Sequence, residues 1–186
     1  MWIEKTPLSG CFIVRADPFI DHRGIFARFF CEKELDVILE GKHIVNINFS
    51  RTKQAGSIRG MHYQTFPYAE MKFVRCMKGK IFDVAVDIRA DSPTFLRWYG
   101  IELSAENMDM LFVPEGFAHG FQTLSDEAEV VYFVTEHYSK GNEGALHYCD
   151  PLIDINWPCA ISDVSEKDAQ HTFIDKTFRG IALKKH

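Results

Sequence analysis

No window of this chain approaches the ~20 consecutive apolar residues that cross a bilayer. Its opening, Met-Trp-Ile-Glu-Lys-Thr-Pro, puts charged and polar groups where an export signal needs an apolar run. No membrane partner and a cytoplasmic location are the expectation. Positive runs are equally scarce: nothing exceeds the pair Lys184-Lys185, and the net charge is −5, so the basic footprint of a nucleic-acid binder is missing. The five cysteines, Cys11, Cys31, Cys76, Cys149 and Cys159, are odd in number and never in a Cys-x-x-Cys spacing, which argues against a disulfide framework and against a zinc cluster. Repeats and low-complexity tracts are absent as well.

What the chain does have is aromatic residues. Sixteen Phe and six Tyr among 186 residues favour strands, and the length suits one domain, 1–186, with a core that needs no disulfide or metal. Gly10 to Ile20, interrupted by Pro18, reads as an edge strand or arm, and Asp21-His22-Arg23-Gly24 turns it into a second strand over Ile25 to Phe30. Residues 1–30 are thus expected to form an N-terminal arm. Glu32 to Leu39 has apolar residues at 35, 38 and 39 and early acids, the pattern of a short helix closed by Gly41.

Strands are then predicted at His43 to Phe49, Met71 to Met77 and Lys80 to Arg89, with Lys78-Gly79 as a hairpin turn between the last two. On the second of these, Phe82, Val84, Val86 and Ile88 form a core face, and Ile81, Asp83, Ala85 and Asp87 a partly wet one. Further strands are predicted at Phe95 to Leu103, Met108 to Val113, Ala118 to Leu124 and Glu129 to Tyr138. Such short, evenly spaced strands indicate a sandwich, jelly roll or barrel. Residues 150–186 shift toward Pro, Asp and Ser and read as a covering segment, with a short helix from Ser165 to Phe173.

Ser-Ile-Arg-Gly-Met-His-Tyr-Gln, residues 57–64, is the stretch richest in chemistry. Arg59 and His62 are three apart, so in a regular strand they point to opposite faces. Both reach one cavity only if Gly60 kinks or bulges the strand. Alone, His62 reads as a packed core histidine. The Pro-x-Gly-x-x-His spacing from Pro114 to His119 is the corner by which a small barrel turns a histidine into its mouth, and with His62 it resembles a double-stranded β-helix, or cupin. Metal-holding cupins carry a His-x-His pair. Here Gln64 stands two after His62 and no acid follows until Glu70, so no metal site is expected.

Several segments together resemble the dTDP-4-dehydrorhamnose 3,5-epimerase family. They are Arg59 to Gln64, Lys72 within Glu-Met-Lys-Phe-Val-Arg, Phe82 to Arg89, Ser92-Pro93-Thr94, Leu103 to Asn107, Pro114 to Phe121, Glu129 to Tyr132 and Ser165 to Asp168. The resemblance runs from about residue 8 to 170. It implies an all-β, double-stranded β-helix (cupin jelly roll), free of metal and cofactor. It also implies a homodimer whose arms reach each other's sites, acting on a nucleotide-linked 4-keto-6-deoxy sugar. By that resemblance His62 is the base, with Asp168 fixing its tautomer, Lys72 stabilises the enolate oxygen and Tyr132 is the acid. Arg59, His119, Arg23, Arg28, Asn48, Ser50, Tyr138 and Lys167 are implied as substrate contacts. Each has a plain alternative: Asp168 closes a cap begun by Ser165, Tyr132 is a core tyrosine, and Lys72 belongs to a solvated face.

The chain departs from the family pattern at three places. Arg28 stands where the arm usually carries an acid, Asn46 where Gln is common, and His137 replaces the first tyrosine of a frequent pair. An acid suits the N3–H of thymine, whereas an arginine suits acceptors such as those of cytosine. A CDP- or GDP-linked 4-keto sugar, inversion at one centre only or ketoisomerisation stays open on the sequence, as do a metal-dependent cupin enzyme and a non-catalytic sugar-nucleotide binder.

Overall fold

A computed structural model describes residues 1–183. Its strands are β1 (Trp2–Lys5), β2 (Phe12–Arg15), β3 (Phe19–Asp21), β4 (Gly24–Phe26), β5 (Asn46–Thr52), β6 (Ser57–Gln64) and β7 (Lys72–Lys78). The chain continues with β8 (Lys80–Asp87), β9 (Trp98–Ser104), β10 (Met110–Val113), β11 (Phe117–Thr123), β12 (Ala128–Val134), β13 (Glu143–Ala145) and β14 (Asp163–Val164). Two short α-helices, α1 (Glu32–Leu39) and α2 (Glu166–Ala169), and a 3-10 turn at Lys140–Asn142 complete the described residues.

The strands form two main sheets. One runs β1-β2-β10-β7-β12-β5 and the other β13-β6-β11-β8-β9, with β14 alongside β6. Sequence-distant strands are neighbours in both, which is the jelly-roll arrangement expected from the spacing. Strand alternation then sorts the apolar residues into three layers. Between the sheets, Val74, Cys76, Leu111 and Val130 of the first meet Ile81, Ala85, Phe117 and Phe121 of the second. On the first sheet's outer face, Phe73, Met110 and Phe112 pack under Leu35, Ile38 and Leu39 of α1. On the second sheet's outer face, Val84, Val86 and Ala118 pack under Leu146, Ile153, Trp157 and Phe178.

This layering corrects two readings of the pattern. β7 and β8 are joined at Lys78-Gly79 but belong to different sheets, so the turn carries the chain from one layer to the other and is not a hairpin. The Ile81, Asp83, Ala85 face of β8 is not wet. It looks into the barrel, where Asp83 is 0% exposed, while the C-terminal segment covers the opposite face. Asp87 is also buried and accepts from Arg89, Ser92 and Thr94.

Residues 1–30 divide between two roles. β1 and β2 join the first sheet, with the unanticipated β1 as its edge, and only the β3–β4 hairpin stands apart. That hairpin exposes Phe19, Ile20, Ile25 and Phe26, the last at 74%. α1 matches its predicted span, and its chain reverses through left-handed Glu40 and Gly41. α2 is a single turn, shorter than the predicted 165–173. The last three residues of the 150–186 segment lie outside the described residues.

Candidate active site

The polar residues inside the barrel occupy the inward positions of strands that are otherwise apolar there. On β7, Lys72 shares its face with Val74 and Cys76; on β12, Tyr132 lies between Val130 and Val134; on β11, His119 lies between Phe117 and Phe121. They converge at one end of the barrel. There two adjoining cavities of about 270 and 200 Å³ share His62, Lys72 and Tyr132 in their walls. Asn48, Gln64, Glu70, Tyr138 and Glu143 line the first, and Ser50, Arg59, His119 and Phe121 the second. A larger groove of about 500 Å³ beside Ile3, Phe12 and Val37 brings no comparable base and acid together.

Gly60 is the reason Arg59 and His62 share this space. Along β6 and β11, His62 pairs with His119 but Arg59 pairs with Phe121, so Gly60 and Met61 together face only Gly120. That extra residue is a β-bulge, which returns two side chains three apart to the same face. Gly60 has φ +132°, and a Cβ there would lie 2.5 Å from the Gly120 Cα. Only glycine satisfies both conditions.

His62 Nε2 lies 2.7 Å from Oδ1 of Asp168. The carboxylate fixes the Nε2–H tautomer and leaves the lone pair on Nδ1. Asp168 also receives the Gly60 N–H at 3.4 Å, and its own N–H donates to Ser165 Oγ at 3.1 Å. Asp168 thus lies against His62 and within the Ser165 cap at once. Burial would raise the Asp168 carboxyl, but the hydrogen bond and charge of His62, with the Gly60 N–H, outweigh it and hold the carboxyl below the ordinary range.

A second buried pair lies deeper. His119 Nε2 is 2.8 Å from Asp83 Oδ1, while Asp83 Oδ2 has no partner among the described residues. Desolvation pushes the Asp83 carboxyl up, against the charge and hydrogen bond of His119 and the charge of Lys72. Across the cavity Lys72 Nζ is 2.9 Å from Glu70 Oε1, with both side chains largely buried. Tyr132 is raised by desolvation and then by the nearby Glu70 carboxylate, with Arg59 opposing.

At the rim, Glu143 receives the Tyr138 hydroxyl at 3.1 Å and Lys167 Nζ at 2.8 Å. Burial raises the Glu143 carboxyl, but those bonds and the charges of Lys167 and His62 bring it below its usual value. Arg59 Nε donates to Thr52 Oγ1 at 2.8 Å. Ser50 Oγ is buried without a partner among the described residues. Asn46 lines the first cavity with Asn48, and His137 is exposed, offering its backbone oxygen to Gln64.

Arg23 and Arg28 lie outside both cavities. Arg23 bonds Asp21 on the hairpin, and Arg28 bonds Glu34 of α1 at 2.5 Å. Three further acids, Glu70, Asp83 and Glu143, stand in or against the site without being marked as site residues by the sequence. Glu70 stands just ahead of β7, where no strand alternation gives the direction of its side chain. Asp83 was assigned to the wrong side of β8, and Glu143 lies on a three-residue strand too short to leave a periodic signal.

The family model for dTDP-4-dehydrorhamnose 3,5-epimerase matches residues 5–176. This chain belongs to that family. It is 44% identical to the dTDP-4-dehydrorhamnose 3,5-epimerase of Shigella flexneri over 180 residues, covering 96% of this chain and 99% of the relative. Among solved structures it is similar to an epimerase from Legionella pneumophila in complex with dTDP-4-keto-L-rhamnose. The TM-score is 0.89 at 37% identity, with 99% of this chain and 98% of that one covered. It is also similar to a 3'-monoepimerase from Streptomyces bikiniensis in complex with dTDP-quinovose. There the TM-score is 0.84 at 27% identity, with 91% and 86% covered.

Proposed function

We propose that this epimerase inverts C3 and C5 of dTDP-4-keto-6-deoxyglucose through enolate intermediates. The carrying observation is that His62 and Tyr132 stand on different sheets and both border each of the two adjoining cavities. A sugar between them meets a base on one side and an acid on the other, which is what inversion of a carbon next to a carbonyl requires. His62 Nδ1 removes the proton, and Asp168 stabilises the imidazolium that forms. Lys72 faces the oxygen at C4, where negative charge develops, and Tyr132 returns a proton to the opposite face. Arg59 and His119 serve the diphosphate or sugar, with Asn48, Ser50, Tyr138 and Lys167 around them. None of these steps calls for a metal or cofactor.

The thymidine nucleotide is favoured by the dTDP named for the relatives. The departure at Arg28 weighs less than it does in the sequence, because Glu34 holds that guanidinium and brings a carboxylate to the same place. Inversion of both centres is favoured by the 3,5-epimerases at 37–44% identity over the monoepimerase at 27%.

The active unit in this reading is a homodimer. The β3–β4 hairpin and the outer face of edge strand β5, with Ile47 and Phe49, expose large apolar side chains that a second copy would cover. Arg23 and Arg28 would then serve the partner's site. Its place is the cytoplasm, which suits five free cysteines.

The test is proton NMR in D₂O with dTDP-4-keto-6-deoxyglucose. Loss of both the C3–H and C5–H signals, abolished in His62→Ala, is the expected result. Loss of one signal would reduce the reading to a single-centre epimerase, and no exchange by the folded protein would overturn it. Light scattering should give twice the chain mass, and the monomer mass in Phe26→Asp.

A further inference from the structure

Behind the His62–Asp168 pair lies a third side chain that the epimerase chemistry leaves unused. His171 follows α2 by two residues, and its Nε2 is buried without a hydrogen-bond partner among the described residues. One ring nitrogen from His62, one from His171 and a carboxylate oxygen of Asp168 all lie within 4.8 Å of one another. A buried imidazole nitrogen with nothing to bond is costly unless a ligand meets it.

We infer that His62, Asp168 and His171 form an inhibitory site for a divalent transition ion of the zinc class. The donor set of two imidazoles and one carboxylate is the kind that zinc takes, with a fourth position left open. Hard cations such as magnesium prefer oxygen ligands, so they are poor occupants. Zinc bonds nitrogen and oxygen at about 2.0–2.2 Å, which sets its ligand atoms roughly 3.3 Å apart in a tetrahedron. The 2.7 Å separation of His62 Nε2 and Asp168 Oδ1 must widen by a few tenths of an ångström, and His171 must close in. α2 is a single turn at the surface, so it can make that adjustment with little core rearrangement.

The ion would act through the tautomer. In the metal-free protein the Nε2–H points at Asp168, and Nδ1 holds the lone pair. Zinc bound at Nε2 takes the lone pair there, so the ring proton moves through solvent to Nδ1. No net proton is lost, yet the atom that faces the sugar now carries hydrogen and cannot act as a base. Inhibition therefore needs no obstruction of the substrate cavity. It also separates this site from the metal-holding cupin pattern, whose ligand positions at Gln64 and beyond are absent here.

The experiment is calorimetric titration of the purified chain with ZnCl₂, repeated with CoCl₂ while its visible absorption is followed. One ion per chain is expected, with the intense absorption of a four-coordinate cobalt site. His171→Ala should bind at least about tenfold more weakly while keeping its melting temperature and metal-free exchange rate. Zinc should stop exchange in the wild type, EDTA should restore it, and the variant should resist. Absence of stoichiometric binding, or unchanged affinity in His171→Ala, overturns the site. Should the variant fail to fold, imidazole NMR of the wild type decides: zinc must perturb His62 and His171 together, and perturbation of neither or of only one refutes the assignment. Only the inhibition arm rests on the epimerase reading; calorimetry and spectra stand without a substrate.

Discussion

His62 and Asp168 are 106 positions apart in the chain, yet their side chains meet at 2.7 Å with Asp168 only 4% exposed. The carboxylate orients the ring and offsets the charge it acquires, so Asp168→Asn should lower kcat by about 10²-fold or more with a smaller change in KM. Stability should respond as well. The Asp168 carboxyl is held below its ordinary range, so its contribution is present above about pH 4 and is lost as pH falls through the folded value. Urea midpoints measured from pH 7 to pH 3 should fall less steeply in Asp168→Asn than in the wild type.

Tyr132 gives a sharper test of the two-sided mechanism. In Tyr132→Phe the base still removes a proton, and the same histidine can return deuterium to the face it came from. Exchange without inversion is the expected outcome: C–H signals fade in D₂O while the product sugar fails to accumulate. A variant that still inverts at more than about a tenth of the wild-type rate would require another acid.

Glu70 couples to both partners across the cavity. Its carboxylate holds Lys72 at 2.9 Å and adds to the desolvation that raises Tyr132. A tyrosine acid is lost as pH rises through its pKa. Removing the neighbouring negative charge lowers that pKa, so the alkaline limb of the kcat profile should move to lower pH in Glu70→Gln. The profile from pH 6 to 11 measures the shift directly, and movement the other way would refute the coupling.

Local signals were enough to place α1, where apolar spacing and early acids agree. They failed where the answer depended on which sheet a strand joins. Lys78-Gly79 has the composition of a hairpin turn, and nothing local distinguishes a turn within one sheet from one that changes sheets. The same ambiguity misplaced Asp83: an alternating strand identifies two faces but not which one the C-terminal segment will cover. Asp168 and His171 were harder still, because their neighbours come from β6, far away in sequence.

Gly60 is where backbone geometry and chemistry are least separable. The bulge at Gly60-Met61 turns Arg59 and His62 into one cavity, and its φ of +132° is available to glycine and rarely to other residues. A Cβ at this position would also meet Gly120 Cα at 2.5 Å and the His119 oxygen at 2.9 Å, both backbone atoms that cannot swing aside. Gly60→Ala should therefore cost about 2–4 kcal/mol by denaturant unfolding. β6 would have to move away from β11 or straighten, and either motion separates His62 from Asp168, so exchange should fall beyond what the stability loss explains. Activity of the fraction still folded, taken at a temperature well below the variant's melting point, distinguishes the two effects: wild-type turnover there would mean that the bulge serves folding alone.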